Sequence, residues 1–427
     1  MTTDTEFTIP GDIAAKLVNP KVYATDELHE TYAWLRTNQP LGIAEVEGFD
    51  PFWVVSKYDD VLEVSKDNKR FPYGNRPSTL MDKASVAMSM QMAETPIALS
   101  LIQMDPPEHM KYRLLSQSWF MPANLKKREE EIRVIARKAA QNLVATGGNC
   151  DFVADVSLNY PLEVIMNILG VPEEDFPFML KLTQEIFGPL DPDVKAMMAD
   201  MSADDISAIQ QAVVGEMVGY FQTITERRRE NPTDDLASVL VNAEVDGKPI
   251  SDNALNGYYL IVATAGHDTT SSTASTGMWA LATQPGLLER LQADMSLLPA
   301  FIEECIRWTS PVKNFMRSAA EDTEIRGRTI KKGDWLMLCY ASASRDEDVV
   351  ANPQNFDIDR APNKHMAFGY GPHLCLGQHL AKMELRILFE ELLPKIASVK
   401  LAGEPQLLES FFVNGLKKLP ITFELAD

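Results

Sequence analysis

Between Ser251 and Pro285 the chain offers a run long enough for one helix to cross a whole domain, yet its middle is poor helix-core material. Ser251 suits an N-cap and Pro285 a stop, and at about 1.5 Å per residue a helix over Asn253–Thr283 spans a sizeable fold. The middle reads Ala263-Thr264-Ala265-Gly266-His267-Asp268-Thr269-Thr270-Ser271-Ser272-Thr273. Small residues at 265 and 266 leave room beside the helix, and a glycine with hydroxyl neighbours can open the hydrogen-bond ladder. An acid next to two hydroxyls then lines the gap. The same residues also suit tight packing with threonine hydroxyls bonded back to the preceding turn, and the segment alone does not choose between these readings.

The second feature is a thiol. Phe368-Gly369-Tyr370-Gly371-Pro372-His373-Leu374-Cys375-Leu376-Gly377 is a glycine-punctuated loop that feeds an amphipathic helix predicted from Gln378 to roughly Ile396. Gly371 and Gly377 allow backbone conformations other residues resist, so N–H groups can turn toward the sulfur, while the following helix adds its positive N-terminal dipole. Both effects favour a thiolate and make Cys375 the candidate metal ligand. No other Cys or His stands at zinc-ligand spacing from it. The cysteines at 150, 305, 339 and 375 show no paired spacing, which fits a reducing cytoplasm.

The third feature, Glu304-Cys305-Ile306-Arg307, places opposite charges three apart on a helix predicted over Leu287–Trp308. Alone it is a routine surface pair. Further helices are expected at Leu125–Ala145 and Asp205–Glu230. Strands are expected at Ile43–Val46, Phe52–Val55, Glu324–Ile325 and Trp335–Leu338, with a turn at Lys332-Gly333-Asp334. Prolines are scattered and no repeat appears, so one continuous domain over residues 1–427 is the economical reading, with residues 1–25 irregular at its start. No secretory signal or membrane-spanning run is present, and a net charge of −21 opposes non-specific contact with nucleic acid or anionic membrane. The cluster Lys126-Lys127-Arg128, with Lys111 nearby, is either a solvated helix face or a local docking patch.

In chain order, the glycine-threonine helix, Glu-x-x-Arg and the glycine-framed Cys resemble the cytochrome P450 haem-thiolate monooxygenases of the soluble bacterial type. The Cys loop matches F-x-x-G-x-x-x-C-x-G through Phe368, Gly371, Cys375 and Gly377, with Ala381 and Glu384 at the family's small and acidic positions downstream. Ala265-Gly266-His267-Asp268-Thr269-Thr270 resembles the oxygen-binding signature A-G-x-[DE]-T-T. Asp105-Pro106-Pro107-Glu108-His109, with Arg113, resembles the segment that meets the haem propionates.

The resemblance implies a mainly α fold, a large helical lobe with a small β-rich lobe, holding haem b between the Asp268 helix and the Cys375 loop. It implies that Cys375 is the axial ligand, favouring cleavage of bound dioxygen. Amides near Leu376 and Gly377 are then expected to donate to its sulfur, with Phe368 packed beside it. His109, Arg113, Arg317 and His373 stand at positions matching haem-carboxylate partners. Asp268 and Thr269 are the expected acid and hydroxyl of a proton relay, Ala265 and Gly266 make room for dioxygen, and Glu304 and Arg307 form a structural network with a third partner from Asn355–Arg360.

The segments expected to cover the pocket are rich in methionine: Met81, Met88, Met90, Met92, Met104, Met197, Met198 and Met201. With Phe187, Ile261, Ala265, Phe315 and Met316 they suit an adaptable apolar pocket, and ordinary core filling accounts for many of them equally well. The expected substrate is a compact terpenoid or aromatic hydrocarbon, as in the terpene-hydroxylating members. Lacking a G-x-G-x-x-G fingerprint, the chain is expected to draw electrons from a two-iron two-sulfur ferredoxin and its flavin reductase, docking near Lys126, Lys127, Arg128, Lys364 and Arg113. A cytoplasmic monomer is the default. A peroxide-driven peroxygenase and a non-catalytic haem sensor or carrier are the alternatives; the Asp268–Thr269 pair speaks against the first and the absence of a signalling segment against the second.

Overall fold

The computed structural model describes residues 7–73, 76–93, 97–187 and 203–426. Phe52–Val55 and Trp335–Cys339 are buried along their whole lengths, the pattern of strands covered on both faces. They pair in parallel at the centre of a four-stranded sheet. Leu41–Ala44 lies antiparallel on one side and Asn314–Ser318 antiparallel on the other. The first strand ends earlier than predicted, because a turn closed by the Phe49 N–H on the Val46 carbonyl, with Gly48 at φ +83°, removes Val46 from it. Thr323–Ile325 pairs instead with Arg328–Ile330 in a separate hairpin.

Helices supply most of the rest. The predicted Leu125–Ala145 helix is divided into Pro122–Leu125, a 3-10 turn at Lys126–Arg128, and Glu129–Ala145. Three adjacent cations repel one another, whereas Glu129, Glu130 and Glu131 suit the positive end of a new helix. The predicted Leu287–Trp308 helix is broken at Asp294, whose carboxylate caps the Ser296 N–H, and it resumes as Leu298–Thr309 with proline in its first turn. After the Cys loop the helix runs Gln378–Leu392, stopped by Pro394 before strand Ile396–Leu401.

The largest apolar core lies among the helices, around Tyr160, Phe221, Tyr258, Phe301 and Phe389, while two smaller clusters flank the sheet. The result is a predominantly helical lobe with a smaller β-rich lobe. No helix among the described residues is long and apolar enough to cross a membrane.

The Glu-x-x-Arg pair is no surface pair. Both side chains are 0% exposed, and Arg307 grips Glu304 with two hydrogen bonds of 2.7 and 2.6 Å. Arg307 also donates to the carbonyls of Ser344, Pro353 and Asn355. Glu304 accepts from the Asp357 N–H and Asn363 Nδ2, with Arg360 Nε 3.4 Å away. The network thus ties the irregular chain after Ser344 to the Leu298–Thr309 helix, and that chain runs on into the Cys375 loop. A buried pair of this kind specifies register more than it stabilises, but removing one partner strands the other. Arg307→Ala is therefore expected to cost about 3–5 kcal/mol in urea denaturation of the holoprotein. Arg307→Lys should not restore it, because an ammonium cannot reproduce the planar fork.

Candidate functional site

The Cys375 loop is shaped by two left-handed glycines, Gly369 at φ +66° and Gly371 at φ +74°. At Gly371 a Cβ would lie 2.3 Å from the Ser65 carbonyl oxygen, so glycine is required both for the turn and for the close approach of the Tyr58–Lys66 helix. Gly377 differs from expectation: its φ is −83° and a Cβ there would meet nothing within 4 Å, so it leaves open space instead of an unusual turn. The Cys375 N–H donates to the Phe368 carbonyl at 2.9 Å. The Phe368 ring lies 5.9 Å from His365 and under Lys382 Nζ.

Burial pushes the Cys375 thiol up, against the lowering effects of the Gly377 N–H, the Arg113 charge and the Gln378 N–H. The donating amides are thus those of Gly377 and Gln378, not Leu376. They do not by themselves outweigh desolvation. Cys375 is half-buried as a residue, and desolvation dominates at its thiol. Arg113 stands beside it, donating to the Leu374 carbonyl at 2.7 Å.

The long helix opens where its sequence is poorest. Asp252–Ala265, capped by Ser251, ends at Gly266, and Asp268–Thr283 begins after His267 at φ −93°, ψ −73°. Thr269 Oγ1 donates to the Ala265 carbonyl at 2.8 Å, and Ser272 and Thr273 bond back to Asp268 and Thr269 in the same way. Both sequence readings therefore hold: the hydroxyls bond backwards and the ladder opens. Ala265 faces open space. At Gly266 a Cβ would lie 2.8 Å from the Ile165 side chain, so this glycine also admits the neighbouring helix. Burial raises the Asp268 carboxyl pKa, with His267 acting in the opposite sense.

Thr270 joins this helix to the one after the Cys loop, donating to Glu384 Oε1 at 3.2 Å. Burial holds Glu384 well above the ordinary carboxylate range. Its spacing of four from both Leu380 and Leu388 sets an acid on an apolar stripe, a signal readable in sequence.

Basic groups gather near the loop around a residue that sequence reasoning missed. The His109 and His373 rings stack with centroids 4.0 Å apart, His373 meets Tyr73 edge-on at 4.5 Å, and the Arg317 guanidinium lies 3.1 Å over the Tyr73 ring. Nothing in the pattern Phe71-Pro72-Tyr73 marks that tyrosine. Burial and the Arg113 charge push His109 down to about 4, with Asp105 offsetting them in part. Burial, then His109, Arg317 and Arg113, push His373 down to about 2. Among the described residues, both His109 ring nitrogens, His373 Nε2 and Arg317 Nε lack hydrogen-bond partners.

The pocket candidates scatter more widely. Ile261 packs against the helical core, and Phe315 lies within an aromatic group with Tyr73, Tyr340 and Phe412. Met88 is half-buried on Lys83–Met92, Met90 is exposed, Met104 belongs to the helical core, and Met316 is buried in a sheet-side core. The side chains of Phe187 and Met92, and residues Met197, Met198 and Met201, lie outside the described residues. The segment 97–101 is clipped to the Asp252 helix: Leu99 N–H donates to the Asn253 carbonyl and Asn256 Nδ2 to that of Ile97. Among the described residues no three His, Cys, Asp or Glu side chains form a metal cluster.

The model of the cytochrome P450 family matches residues 19–396. "Cytochrome P450-terp" from a Pseudomonas species is 45% identical, covering 99% of this chain and 100% of that one. Linalool 8-monooxygenase from Pseudomonas putida is 32% identical over 95% of this chain and 98% of its own. The crystal structure of CYP108D1 from Novosphingobium aromaticivorans superposes with a TM-score of 0.91 at 42% identity, covering 98% of this chain and 100% of that one.

Glu384 yields a pH test. A carboxyl whose folded pKa exceeds its ordinary 4.5 keeps a proton that the unfolded chain releases. Its contribution is complete below pH 4.5 and is lost as pH rises toward the folded value. Glu384→Gln keeps an acceptor for Thr270 but cannot ionise. The stability gap between variant and wild type should therefore grow in the variant's favour as pH rises above 4.5, read as urea midpoints of the holoprotein.

Proposed function

Because this chain belongs to the cytochrome P450 family and is a haem-thiolate monooxygenase using haem b, we propose that Cys375 Sγ ligates the haem iron while His109, Arg113, Arg317 and His373 hold the haem carboxylates. The observation that carries this reading is the convergence of unpaired, buried nitrogen atoms beside the half-buried Cys375. Haem brings two carboxylates to a cluster in which one acid, Asp105, bears on His109, and the opening at Gly377 leaves backbone room beside the sulfur. The residues fit the group. Ligation takes the proton from a thiol that burial otherwise keeps neutral.

Bound haem supplies the activation of dioxygen, so that one atom enters a C–H bond of the substrate and the other leaves as water. The chain supplies protons and keeps water out. Thr269 Oγ1, at the opened turn, can exchange its bond to the Ala265 carbonyl for one directed into the cleft. Asp268, part-exposed beside it, takes protons from solvent and passes them to that hydroxyl. Its raised pKa suits a group that must hold a proton before giving it away.

The substrate is a compact apolar molecule, and we assign it to the terpenoid or cyclic-hydrocarbon class. The part-buried apolar side chains of Ile261 and Phe315 and the open face at Ala265 support this, as do the names of the terp and linalool relatives. The electron donor is assigned as a two-iron two-sulfur ferredoxin served by a flavin reductase. The cations available to it are fewer than predicted. Arg113 turns inward to Leu374, Arg128 pairs with Glu131 and Asp234, and Lys111 pairs with Glu108 and Asp246. Lys126, Lys127 and Lys364 stay exposed, and the short helix before Lys126 packs against the one that follows the Cys loop.

One reconstituted system tests these assignments. Reduced holoprotein under carbon monoxide should show the red-displaced Soret band of thiolate ligation; a band at the imidazole position would remove Cys375 as ligand. With ferredoxin, reductase and a terpenoid that shifts the resting iron to high spin, Thr269→Ala should form product on the order of 10²-fold more slowly. Oxygen uptake should persist, with the balance released as hydrogen peroxide. A fully coupled variant would disprove the relay. Product formation that ignores charge reversal at Lys126 and Lys127 at every ionic strength would exclude those lysines from docking.

A further inference from the structure

His267 lies at the break between the two helices, is 0% exposed, and has no role in the reading above. Its Nε2 is 2.7 Å from the Leu158 carbonyl oxygen. A carbonyl can only accept, so Nε2 must carry a hydrogen. In a neutral ring Nδ1 is then bare, and this nitrogen has no hydrogen-bond partner among the described residues. It sits 3.3 Å from Asp268 Oδ1. A bare imidazole nitrogen and a carboxylate are both acceptors, and burying them face to face is unfavourable unless a proton lies between them.

The neighbours offer no other resolution. The turn and helix packed against the break present the Leu158 carbonyl, the Ser157 hydroxyl bonded to Ser275, and Asn159 Nδ2 bonded to the Ala154 carbonyl. Within the Asp268 helix itself, Ser271 Oγ turns to Ser157, and Thr269 and Ser272 bond backbone carbonyls. Among the described residues, the side chain that bears on the Asp268 carboxyl is that of His267. The two ends of the pair differ in access: His267 is sealed, whereas the Asp268 side chain is 24% exposed.

We propose that His267 and Asp268 share one proton and serve as a reloadable proton store for the Thr269 relay, with His267 the positioning residue that keeps the store filled. This rests on the Asp268–Thr269 reading above. In each delivery one proton moves from Asp268 to the Thr269 oxygen as that hydroxyl releases its own proton into the cleft, and one proton returns to Asp268 from solvent through the exposed carboxyl oxygen. The emptied pair, a bare imidazole against a carboxylate, is the disfavoured state that draws the replacement proton.

The test is 15N NMR of imidazole-labelled, diamagnetic ferrous carbon monoxide holoprotein, with the His267 signals assigned from a His267→Gln sample. Nε2 should stay protonated throughout, and Nδ1 should show a protonated or strongly hydrogen-bonded shift through neutral pH. In Asp268→Asn the side-chain amide can donate to Nδ1, which should remain unprotonated across the range. Identical ring signals in wild type and Asp268→Asn would overturn the shared proton.

In turnover, His267→Gln should move the alkaline limb of the product-formation rate toward acid by about one pH unit or more, leaving the substrate-induced spin shift at its wild-type midpoint. A change in stability or substrate affinity with the limb unmoved would reduce His267 to a packing residue. Full coupling in Thr269→Ala would instead remove the relay while leaving the NMR result standing, so the two failures are distinguishable.

Discussion

Four nitrogen-bearing side chains gathered in one place, with buried ring and guanidinium nitrogens left without hydrogen-bond partners among the described residues, are the condition around which this molecule is arranged. His109 and Arg113 come from the helix Glu108–Gln117, Arg317 from a strand of the sheet, and His373 from the Cys loop, so both lobes contribute. Tyr73 lies between Arg317 and His373 and gives the guanidinium an aromatic face in place of a carboxylate. Burial first, and neighbouring cations second, depress the basicity of both histidines. On the proposed assignment, the two carboxylates of haem would meet these nitrogens, and haem would then stabilise the fold as well as carry the chemistry.

The opposite wall works by backbone economy. A helix that crosses the core would ordinarily be continuous, and here it is interrupted at one turn where Ile165 presses on Gly266 and a buried histidine takes the N-cap position. The interruption turns Asp268 and Thr269 from ordinary helical residues into an acid and a hydroxyl beside a space faced by Ala265. Hydroxyls along the following turns satisfy one another or the preceding carbonyls, so the opening leaves few polar groups unsatisfied.

Much of the site was legible because its chemistry demands particular residue types at short spacing. The glycines about Cys375, the acid–alcohol pair at 268 and 269, and Glu304 with Arg307 are all local patterns. What escaped was non-local. Tyr73 has no local signature, and Gly266 looked like cavity-making when its missing side chain also admits a neighbouring helix. The cationic run at 126–128 left a solvated face and a docking patch both open, and only the structure pairs Arg128 with Asp234 from a distant segment.

Helix periods, the positions of Pro and Gly, and the glycine-framed thiol were determined by the sequence alone, because they depend on backbone sterics and on spacing along one element. Which way each side chain faces, whether a charge is paired, and how far burial shifts a proton depend on atoms brought from distant parts of the chain. Desolvation and Coulomb forces act through space and not along sequence, so only the tertiary structure decided that the Cys375 thiol is pushed up and that His267 meets Leu158.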